Sequence, residues 1–159
     1  MDTNLDKIKE FQWKSLHNIN YTEHRLKKMN LSNGRCHLSQ IRDNDETMQH
    51  LFFKWPSVKK FIKEIEAIFN RSGLTANIEI NELNIMLGLY GGEDLDVIFN
   101  IVIFISKWEI WEIRNKVKYN QSGIGDQTIF NTFEKDLQCT LQTSHINEND
   151  KNKLELFSE

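Results

Sequence analysis

The clearest alternation of apolar and polar positions follows Pro56, the only proline of the chain. Apolar side chains recur there at the spacing of one helix face, at Val58, Phe61, Ile62, Ile65, Ile68 and Phe69. This one-sided stripe predicts an amphipathic helix. Proline suits the first turn because the N–H that it lacks has no helical partner there, and Gly73 is placed to end the helix.

The segment before Pro56 predicts two further helices. Residues 5–18 place several apolar side chains near helical spacing. A second helix is expected over residues 22–29, where the Thr22 hydroxyl can accept a hydrogen bond from an exposed N–H of the first turn. The stretch NLSNG at residues 30–34 then indicates a turn.

The segment after Gly73 contains the longest predicted helix. Residues 74–92 are ambiguous, because NIEI can form a short extended piece while Asn81 can cap a short helix that runs to Leu87. Residues 93–118 predict a long helix that is apolar on most sides in its first half. A helix that is apolar on most sides is expected to be surrounded by the rest of the fold.

Together these patterns predict an all-α single domain of about five to six helices, with a short irregular or hairpin segment near residues 35–45. Asp126 can cap a last helix, and the helical domain is expected to cover residues 1–143. Residues 144–159 are mostly polar, and we predict that they form a disordered tail.

The composition fits one globular domain. The chain has 159 residues, of which 39% are apolar and 27% charged. The run LDVIFNIVIFISKWEIWEI is interrupted by polar and charged residues, so it predicts a buried helix and no membrane span. The chain start lacks a signal-peptide pattern, and the widely spaced Cys36 and Cys139 indicate a reducing compartment. We therefore expect an intracellular protein, cytoplasmic or nuclear.

The stretch CHLSQIRDNDETMQHLFFKW at residues 36–55 holds the most informative motif. Cys36, Glu46-Thr47 and His50-Leu51-Phe52 follow one another at a spacing that resembles the zinc knuckle in the C-terminal region of LINE-type (non-LTR) retrotransposon reverse transcriptases. The resemblance implies four metal-ligand positions, supplied in that family by cysteines and a histidine.

This chain departs from the knuckle at two of the four ligand positions. Ser39 stands at the second and Trp55 at the fourth, and both are poor zinc ligands. We therefore expect no cofactor and no bound zinc, with Cys36 and His50 as residual ligand positions. Burial of Leu51, Phe52 and Trp55 is expected to hold the segment instead.

The resemblance extends over roughly residues 11–140. WKSLHNINYTEHRLKKMNL is similar to the family's lead-in, VKKFIKEIEAIF to its helix after the knuckle, and FNIVIFISKWEIWEIRNK to its final helix. A reverse transcriptase also needs paired aspartates on a palm hairpin to hold its catalytic metals, and no such pair is visible here. We therefore expect a non-catalytic fragment and no enzyme.

Aromatic and basic side chains alternate in SKWEIWEIRNKVKY, at the end of the long predicted helix. Such side chains can stack on bases and neutralise phosphates. We therefore predict contacts to nucleic acid from this cluster and from the basic front of the chain, at Lys107, Trp111, Arg114, Lys116, Lys118, Arg25, Lys27 and Lys28. In the alternative interpretation the tryptophans belong to the core and the basic side chains extend around them.

The net charge of −3 provides no general positive field for nucleic acid. The expected function is therefore weak binding of RNA or DNA by a non-catalytic fragment. One alternative is a small helical protein-interaction module that binds a helical partner or a second copy, with residues 95–113 packed inside the fold or against that partner. Another is a decayed reading frame without selected activity.

Overall fold

The computed structural model describes residues 4–38, 45–72, 78–91, 94–119, 126–143, 148–155 and Phe157. Within these ranges the helices are α1 (Asn4–Leu16), α2 (Glu23–Lys28), a π-helical turn (His50–Lys54), α3 (Pro56–Arg71), α4 (Glu82–Leu87), α5 (Asp94–Lys118), α6 (Asp126–Thr143) and α7 (Glu148–Glu155). The predicted all-α single domain is confirmed. An isolated antiparallel bridge joins Arg35 to Asp45, where the irregular segment was predicted.

Helix α5 is the centre of the fold. It contacts α1, the π-helical turn, α6 and α7. Seven of its apolar side chains are almost wholly removed from water: Ile98, Phe99, Val102, Ile103, Ile105, Ile110 and Ile113. Burying one side chain of this size contributes about 1.5–3 kcal/mol relative to exposure, so this helix supplies a large part of the hydrophobic stabilisation.

Helix α3 forms as its sequence pattern predicts. Pro56 occupies the first turn, and the apolar stripe faces the core. The ring centre of Phe61 lies 5.5 Å from that of Phe133 on α6, in an edge-to-face arrangement. The helix ends at Arg71, and Gly73, the predicted stop, lies outside the described residues.

Two predicted helix caps are present. The Thr22 hydroxyl accepts a hydrogen bond from the Arg25 N–H at 3.3 Å, at the start of α2. At the start of α4, Asn81 and Asn84 each accept a hydrogen bond from the other's backbone N–H, at 2.9 and 3.0 Å. Residues 78–80, the described part of NIEI, are irregular.

The prediction of a disordered tail is wrong for residues 148–155, which form α7. Leu154 and Phe157 are buried, and the Phe157 ring centre lies 4.6 Å from that of Phe69 on α3. These two apolar residues are three positions apart at the end of a mostly polar stretch, and the average composition of that stretch gave no indication that they would pack against the core. The neighbouring residues 144–147, 156 and 158–159 lie outside the described residues.

In the described part of the chain, none of the helices is both long enough and apolar enough to cross a lipid bilayer.

Candidate functional site

Arg114 lies in a buried cluster that joins α2, Glu46 and the end of α5. Its guanidinium donates to Glu46 Oε1 from Nε at 2.9 Å and from Nη2 at 2.6 Å, and to Glu23 Oε1 from Nη2 at 3.0 Å. The Arg114 side chain is only 2% exposed. The expected placement of this charge at the surface is therefore wrong, because the guanidinium is removed from water and already paired with two carboxylates.

Glu23 gathers further positive partners in the same cluster. Lys118 Nζ lies 2.6 Å and His37 Nε2 3.3 Å from its Oε1, and the Ser32 hydroxyl donates to its other oxygen. Burial alone would raise the pKa of Glu23, but the hydrogen bonds from Lys118 and Ser32 and the nearby positive charges hold it below its usual value. Glu23 is therefore ionised at neutral pH.

Lys107 is also buried, and the prediction that it contacts nucleic acid is wrong. Its side chain is 1% exposed, and Nζ donates to Gln12 Oε1 at 2.7 Å and to the Met86 carbonyl at 3.3 Å. The ammonium lies 5.5 Å from the centre of the Phe52 ring. Burial lowers the pKa of Lys107 to about 7, since the interior disfavours its charge.

The other predicted residues of α5 lie nearer the surface. Trp111 is half-buried, with its ring 5.6 Å from that of Phe11 and 5.0 Å from the Arg114 guanidinium carbon. Lys116 is exposed, and Lys118 is partly exposed while paired with Glu23. The cluster predicted from the sequence therefore divides into a buried part and a surface part.

The basic residues of α2 also differ from one another. Arg25 donates to the Asn18 carbonyl, and its guanidinium carbon lies 5.8 Å from the centre of the Tyr21 ring. Lys27 is exposed but paired with Asp45, 3.0 Å from Nζ to Oδ1. Lys28 is exposed.

A surface cavity of about 480 Å³ lies between α2 and the end of α5, and we call it the aromatic groove. It is lined by Tyr21, Leu26, Trp111, Arg114, Asn115, Lys118 and Tyr119. Tyr21 is 58% and Tyr119 66% exposed, which is unusual for such large rings. Sequence reasoning missed Tyr21, because it is distant along the chain from the aromatic cluster that it joins.

The residual knuckle positions are packed into the core. Cys36 and His50 are buried, and burial lowers the pKa of the His50 imidazole. Leu51 and Phe52 are fully buried and Trp55 packs against the core, which confirms the expected packing of this segment. Among the residues that the structure describes, no three His, Cys, Asp or Glu side chains are grouped as metal ligands. Ser39 lies outside those residues.

A second buried acidic group lies between α5 and α6. Glu109 is only 4% exposed. Burial raises its pKa to about 8, and a hydrogen bond with the Asp136 side chain and the charge of that residue act in the same direction. Glu109 is therefore mainly protonated at neutral pH.

No protein-family model, curated protein or solved structure matches this chain. The geometry of the aromatic groove and of the Arg114 cluster is thus the basis for a functional proposal.

Proposed function

We propose that this domain is a non-catalytic module that binds single-stranded RNA or DNA weakly through the aromatic groove. The observation that carries the proposal is the convergence of Tyr21, Trp111 and Tyr119 on one surface cavity. Two of these rings are more than half exposed, and each has a cation over one face only, Arg25 over Tyr21 and Lys118 over Tyr119, so an unstacked base can use the other face. Stacking of a base on an aromatic side chain contributes about 1–3 kcal/mol.

The groove also carries polar groups suited to a nucleotide. Lys118 supplies a partly exposed positive charge at its wall, and Asn115 supplies an amide that can donate to and accept from a base edge. The Arg114 cluster beneath holds the wall in place, because Arg114 Nη1 donates to Asn115 Oδ1 at 2.9 Å. A single strand fits these features better than a duplex, whose bases are already stacked.

Weak binding follows from the charges. Glu23 neutralises much of the positive charge of Lys118, and Asp45 does the same for Lys27. The chain as a whole carries a net charge of −3. Few phosphates can therefore be neutralised, and affinity should depend only moderately on salt.

The proposal includes an origin in the C-terminal region of a LINE-type retrotransposon reverse transcriptase. Two distant stretches that carry the resemblance meet in the core, since Glu46 of the knuckle segment pairs with Arg114 of the WEIRNK stretch. We also propose an intracellular location. Neither the buried Cys36 nor the exposed Cys139 forms a disulfide, as is usual for proteins of a reducing compartment.

A protein-interaction module is the second candidate, and an exposed apolar surface favours it. Leu83 and Leu87 on α4, Tyr90 and Val97 are between 44% and 74% exposed. Leu83 and Leu87 are four positions apart and therefore share a face of α4, and neighbouring exposed apolar side chains are typical of a site that another protein covers. Val97 is the contribution of the long helix α5 to this surface, while most of the other apolar side chains of that helix pack within the domain.

Fluorescence anisotropy with a labelled single-stranded oligouridylate tests the proposal at low salt. Tyr119→Ala should weaken binding about tenfold, because one stacking ring is lost. Tyr90→Ala is the matched control: it removes a ring that is 74% exposed and lies outside the groove, and it should leave affinity unchanged. Absence of binding by the wild-type protein at low salt, or an equal loss in both variants, contradicts the proposal.

A further inference from the structure

A second surface cavity, of about 410 Å³, lies between α2 and residues 47–48. We call it the basic cavity, because His24, Arg25 and Lys28 are among the residues that line it. The Thr47 side chain also belongs to its wall, and its hydroxyl accepts a hydrogen bond from the His50 N–H at 3.0 Å. No carboxylate is among the lining residues that the structure describes.

Asp45, the carboxylate that pairs with His24 of the cavity wall, is already neutralised. Asp45 accepts from Lys27 Nζ at 3.0 Å and contacts His24 Nδ1 at 3.1 Å. Hydrogen bonds from these two side chains lower the pKa of Asp45, so that it remains a paired carboxylate. Arg25 and Lys28 line the cavity, and neither forms an ion pair with a carboxylate within the described ranges.

One contact connects the basic cavity to the aromatic groove. Arg25 lines the basic cavity, and its guanidinium carbon lies 5.8 Å from the centre of the Tyr21 ring, which lines the groove. The guanidinium lies over one face of the Tyr21 ring and leaves the other face for a base. A base stacked on that other face would have its own phosphate close to Arg25.

We propose that the basic cavity is a phosphate-binding site, in which Arg25 and Lys28 hold one phosphate group adjacent to the base in the aromatic groove. A guanidinium can donate two parallel hydrogen bonds to a phosphate, while an ammonium acts as a point charge. The placement beside a base rests on the proposed function. Binding of phosphate by the cavity itself does not, and it can be measured separately.

The first experiment titrates the full ¹⁵N-labelled chain with inorganic phosphate and follows amide signals by NMR. We expect saturable shifts at His24, Lys28 and Thr47, and a several-fold weaker response in Lys28→Gln. Lys9→Gln is the matched control, because Lys9 is an exposed lysine on α1 outside the cavity. The absence of saturable shifts around the cavity, or an equal effect of both substitutions, overturns the phosphate site.

The second experiment measures binding of the single-stranded oligouridylate across a salt series. Loss of one phosphate contact in the double variant Arg25→Gln, Lys28→Gln should reduce the slope of log affinity against log salt by about 0.7. A strand that binds with an unchanged slope shows that no strand phosphate occupies the cavity, while the proposed function stands. If no strand binds to the wild-type protein, the proposed function fails and the phosphate titration still decides the cavity.

Discussion

Arg114 and Glu46 are 68 residues apart in the sequence, yet two guanidinium nitrogens of Arg114 donate to the same Glu46 oxygen. The pair is almost wholly buried and is extended by Glu23. It connects α5 to the segment that resembles a zinc knuckle. We infer that this ion pair and the packing around it hold together a region that metal ligands hold in the family it resembles.

Removal of Arg114 should therefore destabilise the domain strongly. Arg114→Gln leaves the buried Glu46 without its ion-pair partner and Glu23 with one partner fewer, and breaking a buried pair from one side costs about 3–5 kcal/mol. The free energy of unfolding, measured by urea denaturation, should fall by that amount. Lys116→Gln removes an exposed positive charge two positions away and should change it by less than about 0.5 kcal/mol. A similar small change in both variants contradicts this role of the cluster.

The pKa of Lys107 predicts a stability change at alkaline pH. Burial lowers this pKa from 10.5 to about 7, so between these values the unfolded chain binds the proton more tightly than the folded chain. The contribution of Lys107 to stability is therefore greatest above pH 10.5 and decreases as the pH falls towards 7. Lys107→Met removes this dependence. The melting temperature of the variant should therefore rise relative to that of the wild type as the pH is lowered from 10 to 7. A difference in melting temperature that stays constant over this range would exclude the effect.

Glu109 should act in the opposite direction at lower pH. Burial and Asp136 raise its pKa from 4.5 to about 8, so between these values the folded chain holds the proton more tightly. The stabilising contribution is fully present below pH 4.5 and is lost as the pH rises through 8. Glu109→Gln keeps a neutral side chain at every pH, so its melting temperature relative to wild type should rise between pH 5 and pH 8. A constant difference across that range counts against a protonated Glu109.

The docking of α7 should contribute measurably to stability. Phe157 is 1% exposed and packs on Phe69, so Phe157→Ala creates a cavity and should cost about 3–5 kcal/mol. Asn152→Ala, at an exposed position of α7, is the control and should be nearly neutral. Circular dichroism during urea denaturation measures both variants. If Phe157→Ala also proves neutral, the end of the chain does not stabilise the domain.

The local sequence pattern was sufficient to predict helices and helix caps that depend on residues close together in the chain. The stripe after Pro56 and the cap at Asn81 depend on residues within one helix, and both are present in the structure. The alternative interpretation, in which the tryptophans belong to the core, also agrees with the structure at Trp111, because its ring packs on that of Phe11.

Long-range partners explain what the sequence did not reveal. Spacing placed Arg114 and Lys107 beside aromatic residues, but their partners Glu46 and Gln12 lie 68 and 95 positions away. Without those partners, a basic residue on a helix is expected at the surface, where its charge is solvated. Tyr21 was missed for the same reason, because only the folded chain brings it to the groove beside Tyr119.

The most direct test of the central claim is an NMR map of the strand-binding surface. Addition of a single-stranded oligouridylate to the ¹⁵N-labelled protein at low salt should shift the Tyr21, Asn115 and Tyr119 amides and the Trp111 indole N–H in a saturable way. Tyr119→Ala should weaken the response. Saturable shifts confined to the exposed apolar surface of Leu83, Leu87 and Tyr90, or no saturable shift anywhere, would contradict a nucleic-acid site in the aromatic groove.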